Sequence, residues 1–137
     1  MPPVLISLTA YGAAEVGRHG QPWFARLASE AGADAVEVRG ELLREDGLHE
    51  ELALLAPFTA VYSEPALLWT PEGELDTGAL ERGLTRAAAL GAPRLKMSIG
   101  GWAQAPADWL SELKSILAAN KAIELLIEND QTEAGGT

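Results

Sequence analysis

The sequence contains no cysteine among its 137 residues. Disulfide bonds, thiolate nucleophiles and cysteine-based zinc sites are therefore excluded. Basic residues are also few, because 10 lysines and arginines stand against 20 aspartates and glutamates, which gives a formal net charge of −10. Nucleic-acid binding usually requires a basic face, so this balance argues against a nucleic-acid partner and favours cations instead.

Long hydrophobic runs are missing as well. No apolar stretch approaches the roughly 20 residues needed to span a bilayer, and the first residues lack the basic region and apolar core of a signal peptide. We therefore expect a cytoplasmic protein with no membrane partner. What is present is a globular composition, with 47% hydrophobic and 22% charged residues, which suits one domain of this length.

Apolar strand-like runs alternate with segments of helical periodicity along the chain. The runs predict five strands, and the apolar residues at spacings of three and four predict four helices. Asp76 suits a helix N-cap and Gly91 a helix end, while Pro22 suits a first helical turn. The predicted strands are residues 4–9, 35–39, 58–62, 94–99 and 123–128, and the predicted helices are residues 22–31, 47–56, 77–90 and 107–119.

Strands that alternate with helices predict a parallel sheet joined by helical crossovers. The predicted strands start about every 30 residues, close to the repeat of a (β/α)₈ barrel of ~250 residues. A doubly wound sheet has the same order of elements, and the pattern alone does not separate the two folds. No closing helix follows the fifth strand, so we expect residues 1–137 to be a single domain that forms the N-terminal portion of a TIM barrel, truncated after strand five. The expected fold class is thus α/β, a partial (β/α)₈ TIM barrel with about five parallel strands and four helices.

Charged residues lie in the predicted strands near their carboxyl ends, where parallel β/α folds bind ligands. Glu37 and Arg39 fall on one face of the second strand because side chains alternate. They could bind substrate or form a structural ion pair with each other or with Lys96. Lys96 could also be a Schiff-base nucleophile, and the Gly100-Gly101 pair could approach a phosphate or form a plain turn.

The end of the fifth predicted strand is the most polar of these places. A carboxylate such as Glu128 can ligate a divalent metal or move a proton, and Asn129 and Asp130 add oxygen ligands or hydrogen bonds. The alternative is a solvated acidic turn. Neither histidine lies at a strand end, so His19, in the first long loop, and His49 are both expected at the surface. Trp69 is expected to pack in the loop after strand three.

These motifs resemble the xylose-isomerase-like TIM barrels, which include sugar and sugar-phosphate isomerases and epimerases. The similarity lies in Ala33-Asp34-Ala35-Val36-Glu37-Val38-Arg39, Lys96-Met97-Ser98 and Ile127-Glu128-Asn129-Asp130-Gln131-Thr132. The resemblance implies that Glu128 is a metal ligand and a catalytic carboxylate, and that Glu37, Arg39, Lys96 and Asn129 bind the substrate. The implied cofactor is a divalent metal (Mn²⁺, Mg²⁺, Co²⁺ or Zn²⁺). Its site is incomplete here, because the family's other ligands come from strands six to eight.

The second strand also resembles another family of TIM barrels. Val36-Glu37-Val38-Arg39-Gly40-Glu41 looks like the Glu-x-Arg strand of type I 3-dehydroquinate dehydratases, which form a Schiff base on lysine. Those enzymes lack the motif at strand five, and Lys96 falls one strand before their reactive lysine. A third interpretation is a non-catalytic half-barrel that associates with a partner as a homo-oligomer.

Overall fold

The computed structural model describes residues 1–129 and shows an α/β fold built on one parallel sheet. Asp130 and the residues after it lie outside the described part of the chain. Each of the first four strands is followed by a helical connection that returns the chain to the same end of the sheet. The strands are β1 (Leu5–Ser7), β2 (Ala35–Arg39), β3 (Thr59–Trp69), β4 (Arg94–Gly100) and β5 (Glu124–Glu128).

The order of the strands distinguishes between the two expected folds. All neighbouring pairs are parallel, and the order across the sheet is β1-β2-β3-β4-β5. In a doubly wound sheet the spatial order of the strands switches, because a later strand is added on the other side of the first. In a barrel, each strand is added beside the previous one. The fold class predicted from the sequence is confirmed as five parallel strands in the order of a partial, barrel-like β/α fold.

Five α-helices are found in residues 1–129, one more than predicted. The additional helix is α1, which is seven residues long and has Val16 as its one buried residue. Such a short segment shows too little apolar periodicity to be recognised. The helices are α1 (Ala13–His19), α2 (Gln21–Glu30), α3 (Leu48–Leu55), α4 (Thr77–Ala89) and α5 (Trp109–Ala118).

The core lies between the sheet and the helices. Successive helices pack side by side, α2 against α3 and α3 against α4, and α2 and α4 also pack on β2 and β3. On α2, Phe24, Ala25 and Ala28 are buried, whereas Trp23 and Leu27 are 49% and 39% exposed. With helices covering one face of the sheet, its opposite face is available for a site.

The third strand is much longer than predicted, and Trp69 is part of it rather than of a loop. Glu64 and Pro65 are typical strand breakers, but a bulge accommodates them, since Ser63 pairs with Lys96 and Leu67 with Ser98. The buried Glu64 carboxylate accepts hydrogen bonds from Arg82 at 2.9 Å and from the Tyr62 hydroxyl at 3.0 Å. The strand therefore continues to Trp69, which is 1% exposed.

The histidines also differ from expectation in one respect. His19 ends α1 rather than lying in a loop, and its ring stacks on Trp23 at 4.7 Å between centroids. Both His19 and His49 are exposed, as predicted.

Within residues 1–129, no helix combines the length and apolar character needed to cross a membrane.

Asp76 caps α4 as the sequence predicted. Its carboxylate accepts a hydrogen bond from the Ala79 amide at 2.9 Å. Loss of such a cap leaves helical amides without a partner, so Asp76→Ala is expected to lower the free energy of unfolding by about 1 kcal/mol. Asp46→Ala is the matched control, because Asp46 is exposed and caps no helix, and its effect should stay within about 0.5 kcal/mol. Chemical denaturation would measure both, and equal effects would contradict the assignment of the cap.

Candidate functional site at the carboxyl ends of the strands

The site begins with the alternation of side chains along β2. Val36 and Val38 are buried beneath the helices, at 1% and 0% exposure. Because side chains alternate across a strand, Glu37 and Arg39 lie on the opposite face, which the helices do not cover. The same face receives Lys96 from β4 and Glu128 from β5. Successive ion pairs join Arg39 to Glu37, Glu37 to Lys96 and Lys96 to Glu128.

Lys96 is the centre of this cluster. Its Nζ lies 2.9 Å from Oε2 of Glu37 and 3.0 Å from Oε2 of Glu128. The remaining oxygen of Glu37 accepts a hydrogen bond from Arg39 at 2.9 Å and one from the hydroxyl of Ser7 at 3.1 Å. We call Glu37, Arg39, Lys96 and Glu128 the charged cluster. The structural ion pair that the sequence left open is thus present.

The contacts of Lys96 decide its ionisation. Burial of the ammonium group by itself lowers the pKa of Lys96, but hydrogen bonds to Glu37 and Glu128 outweigh this and raise the pKa above 10.5. A Schiff-base lysine needs a lowered pKa, since only the neutral amine attacks a carbonyl. Lys96 is therefore suited to donating hydrogen bonds as a cation, and its surroundings argue against the Schiff-base interpretation.

The two carboxylates differ in how much of them is free to act. Glu37 is 14% exposed and accepts bonds from three neighbours, whereas Glu128 is 54% exposed and contacts Lys96 alone among the described residues. Burial alone would raise the pKa of Glu37, but hydrogen bonds from Lys96 and Arg39 bring it below 4.5. Glu37 thus holds the cations in place, and Glu128 is the carboxylate that a bound molecule can reach.

Two supports of the cluster were missed by the sequence analysis. The side chain of Gln21, fully buried, donates to the Arg39 carbonyl and accepts from the Arg39 amide, both at 2.9 Å. It fixes the end of β2, from which the Arg39 side chain extends towards Glu41 at 2.9 Å. Ser7, at the end of β1, was missed too. No residue pattern distinguishes Gln21 or Ser7 from ordinary polar residues, so a structure was needed to find them.

A small cavity of about 210 Å³ opens beside the charged cluster. This volume is below the roughly 300–1,000 Å³ of a site for a drug-sized ligand, so the cavity suits a small polar molecule. Carboxylates, hydroxyls and two cations surround it, which matches a ligand with several hydroxyl groups. Its lining consists of Arg39, Glu41, Ser63, Glu64, Pro65, Lys96, Ser98 and Glu128.

The remaining predicted site residues are not all drawn together. Asn129 is exposed after β5, and its assignment to substrate binding stays a prediction. The Asp130-Gln131-Thr132 part of the motif lies outside the described residues. The Gly100-Gly101 pair is used for packing: the Gly101 amide donates to the Trp69 carbonyl at 3.0 Å, so that amide is not free to bind phosphate.

The described residues do not supply the ligands that the implied divalent metal needs. Across the described residues, no three histidine, aspartate or glutamate side chains lie close enough together to hold a metal ion. The one exposed carboxylate of the cluster, Glu128, already faces the ammonium of Lys96, and a second cation beside it would be repelled. The described residues therefore do not form a metal centre by themselves, and metal binding at Glu128 stays a prediction.

Comparison with known proteins adds no assignment: no protein-family model and no curated protein matches the chain. The resemblance to xylose-isomerase-like barrels therefore rests on the short motifs alone. The fold and the site define a parallel, barrel-like β/α protein with a charged cluster on the face of the sheet that the helices leave uncovered.

The lowered pKa of Glu37 gives a prediction about acid stability. A carboxylate with a lower pKa when folded stabilises the protein fully above its unfolded pKa, near 4.5, and this stabilisation is lost as the pH falls through the folded value. Glu37→Gln should therefore make the free energy of unfolding less dependent on pH below about 4.5. Denaturation curves over this range measure the effect. Glu30→Gln, at an exposed position, is the control. The prediction would be refuted if the free energy of unfolding changed equally with pH in the wild type, Glu37→Gln and Glu30→Gln.

Proposed function

We propose that the chain is a sugar or sugar-phosphate isomerase or epimerase that shifts a proton next to a carbonyl group. The observation that carries this proposal is the Lys96 ammonium, which lies between two carboxylates at the ligand-binding edge of a parallel sheet. One carboxylate is exposed towards a cavity that suits a small polyhydroxylated molecule. A base and a cationic hydrogen-bond donor next to each other are the groups that enolisation requires.

The roles follow from the exposure of each group. The carboxylate of Glu128 would take the proton from the carbon next to the carbonyl, and the bonding electrons would move onto the carbonyl oxygen. Lys96, as a cation, would donate a hydrogen bond to that oxygen and stabilise the developing negative charge. Isomerisation follows when Glu128 returns the proton to the former carbonyl carbon while the proton of the adjacent hydroxyl moves to the former carbonyl oxygen. Epimerisation follows when a water molecule on the opposite face protonates the original carbon, and Glu128 then gives its proton to the solvent.

The other two members of the cluster would orient these groups. Glu37 holds Lys96 and Arg39 in place through short ion pairs. Arg39 lines the cavity beside Glu41, where its guanidinium can contact a hydroxyl or a phosphate of the substrate. These roles do not require a divalent ion at Glu128, which the family that the motifs resemble would have. The assays therefore compare activity with and without such an ion.

Isomerisation assays with a panel of small aldoses, ketoses and their phosphates test the proposal. Assays run with and without Mn²⁺ or Mg²⁺, and sedimentation velocity identifies whether the active species is a monomer or a homo-oligomer. Glu128→Gln should lower kcat at least about 100-fold, the usual contribution of a general base. The control is Glu124→Gln at the opposite end of β5, where Glu124 is 67% exposed and pairs with Arg94.

Two outcomes would overturn the proposal. One is turnover by Glu128→Gln at the wild-type rate. The other is the absence of turnover for every sugar in the panel, with and without metal, by wild-type protein that is shown to be folded by circular dichroism.

A further inference from the structure

A second, larger cavity lies away from the charged cluster. It has a volume of about 660 Å³ and opens between the end of β3, the loop after it and the start of α5. This volume falls in the range of roughly 300–1,000 Å³ that is usual for ligand sites. It shares no lining residue with the cavity beside Lys96, so a ligand here would not compete directly with the proposed substrate.

Tryptophan rings form the apolar wall of this cavity. Trp69 is 1% exposed and fixed in β3, and Trp109 at the start of α5 packs edge-to-face on it, with 5.4 Å between ring centroids. Trp109 itself is half-buried. The buried ring of Trp69 thus holds the ring of Trp109 in a fixed orientation at the cavity wall, where Leu75 and Pro106 add further apolar contacts.

Carboxylates form the polar part of the same cavity. Glu74, Asp108 and Glu112 line it together with the hydroxyls of Ser111 and Ser115, and no lysine, arginine or histidine of the described chain is among its lining residues. None of the three carboxylates forms an ion pair within residues 1–129. The cavity therefore has a negative potential beside two indole rings, in a chain whose net charge is −10.

We propose that this cavity binds a small organic cation, of the primary or quaternary ammonium class. The indole of tryptophan is the best aromatic partner for such a cation, because its ring face is negative. The surrounding carboxylates add Coulombic attraction, and the serine hydroxyls can accept hydrogen bonds from an ammonium N–H. An anion would meet no positive group in the cavity. A metal ion is disfavoured, because no three acidic or histidine side chains of the described chain are close enough together to bind one.

Calorimetric titration with choline tests the proposal, with 3,3-dimethyl-1-butanol as the probe of equal shape that has no charge. Choline should bind saturably and several-fold more tightly than the neutral alcohol, and added salt should weaken it. Glu112→Gln and Trp109→Leu should each weaken choline binding roughly three- to ten-fold. Glu112 is exposed, so its substitution leaves folding intact. Glu81→Gln, at an exposed position of α4 outside the cavity, is the control.

Three results would overturn this assignment. Equal affinity for choline and the neutral alcohol would mean that the cavity is only apolar. The absence of saturable choline binding would mean that it is not a cation site. Unchanged choline binding by Glu112→Gln and Trp109→Leu would place the cation elsewhere on the acidic surface.

Discussion

Lys96→Met is expected to reduce turnover at least about 100-fold, the effect of removing one donor that stabilises a developing oxyanion. It should also lower the free energy of unfolding by at least about 2 kcal/mol, because it removes one of the two cations, Lys96 and Arg39, that pair with Glu37 at 2.9 Å. Glu37 is 14% exposed, so water compensates this loss poorly. Activity assays and chemical denaturation of the same preparations separate the two effects.

Arg94→Met provides the matched control for Lys96→Met. Arg94 lies on the same strand, two residues before Lys96, and pairs with Glu124 at 3.5 Å. Both members of this pair are about half or more exposed, Arg94 at 49% and Glu124 at 67%, and ion pairs of this kind contribute no more than about 1 kcal/mol. If both variants lose the same stability and activity, the charged cluster has no special role.

Gly100→Ala is expected to lower the free energy of unfolding by roughly 2–5 kcal/mol. Gly100 has a φ of +70°, which costs an L-residue about 1–2 kcal/mol. A Cβ atom would also collide with the Trp69 carbonyl oxygen and lie 2.9 Å from Leu67 Cβ, and overpacking of this kind costs about 1–3 kcal/mol more. The end of β3 would have to move away from β4, which would disturb Trp69 as well.

The control for this substitution is Gly17→Ala in α1. A Cβ at Gly17 meets nothing within 4 Å, and alanine is favoured over glycine in a helix by up to about 1 kcal/mol. Gly17→Ala should therefore leave stability unchanged or raise it slightly. If thermal denaturation shows Gly100→Ala to be as stable as Gly17→Ala, the close approach of β3 and β4 at Gly100 is wrong.

The strands that were well predicted are those whose apolar runs are clear. Residues 35–39 match β2, and the ends predicted for β4 and β5 lie within one residue of those found, because apolar residues alternate with polar ones along β2 and β4 and predominate in β5. The third strand was cut short at residue 62, because Glu64 and Pro65 signal a break in any local pattern. A long-range contact explains its continuation, since Arg82 of α4 neutralises Glu64. The residues around Glu64 do not indicate that Arg82, 18 residues later, will pair with it.

The candidate site was predictable to a similar degree. Alternation along β2 placed Glu37 and Arg39 on one face, and the rule about strand ends brought Lys96 and Glu128 to the same edge. The ion pairs of Glu37 with Arg39 and with Lys96 were anticipated as one of two alternatives, whereas the ion pair of Lys96 with Glu128 was not. What the sequence could not show is which carboxylate stays accessible, because that depends on how many neighbours each one contacts. The anchoring of Arg39 by Gln21 depends likewise on a contact between elements 18 residues apart.

The most direct test of the proposed function is the exchange of deuterium from D₂O into a sugar or sugar phosphate, followed by NMR at the carbon next to the carbonyl. The wild-type chain is predicted to introduce deuterium at that carbon, while Glu128→Gln and Lys96→Met lose this exchange and Arg94→Met retains it. Exchange at equal rates in all four proteins, or its absence from the wild-type chain with every sugar tested, would contradict the proton-transfer role of the charged cluster.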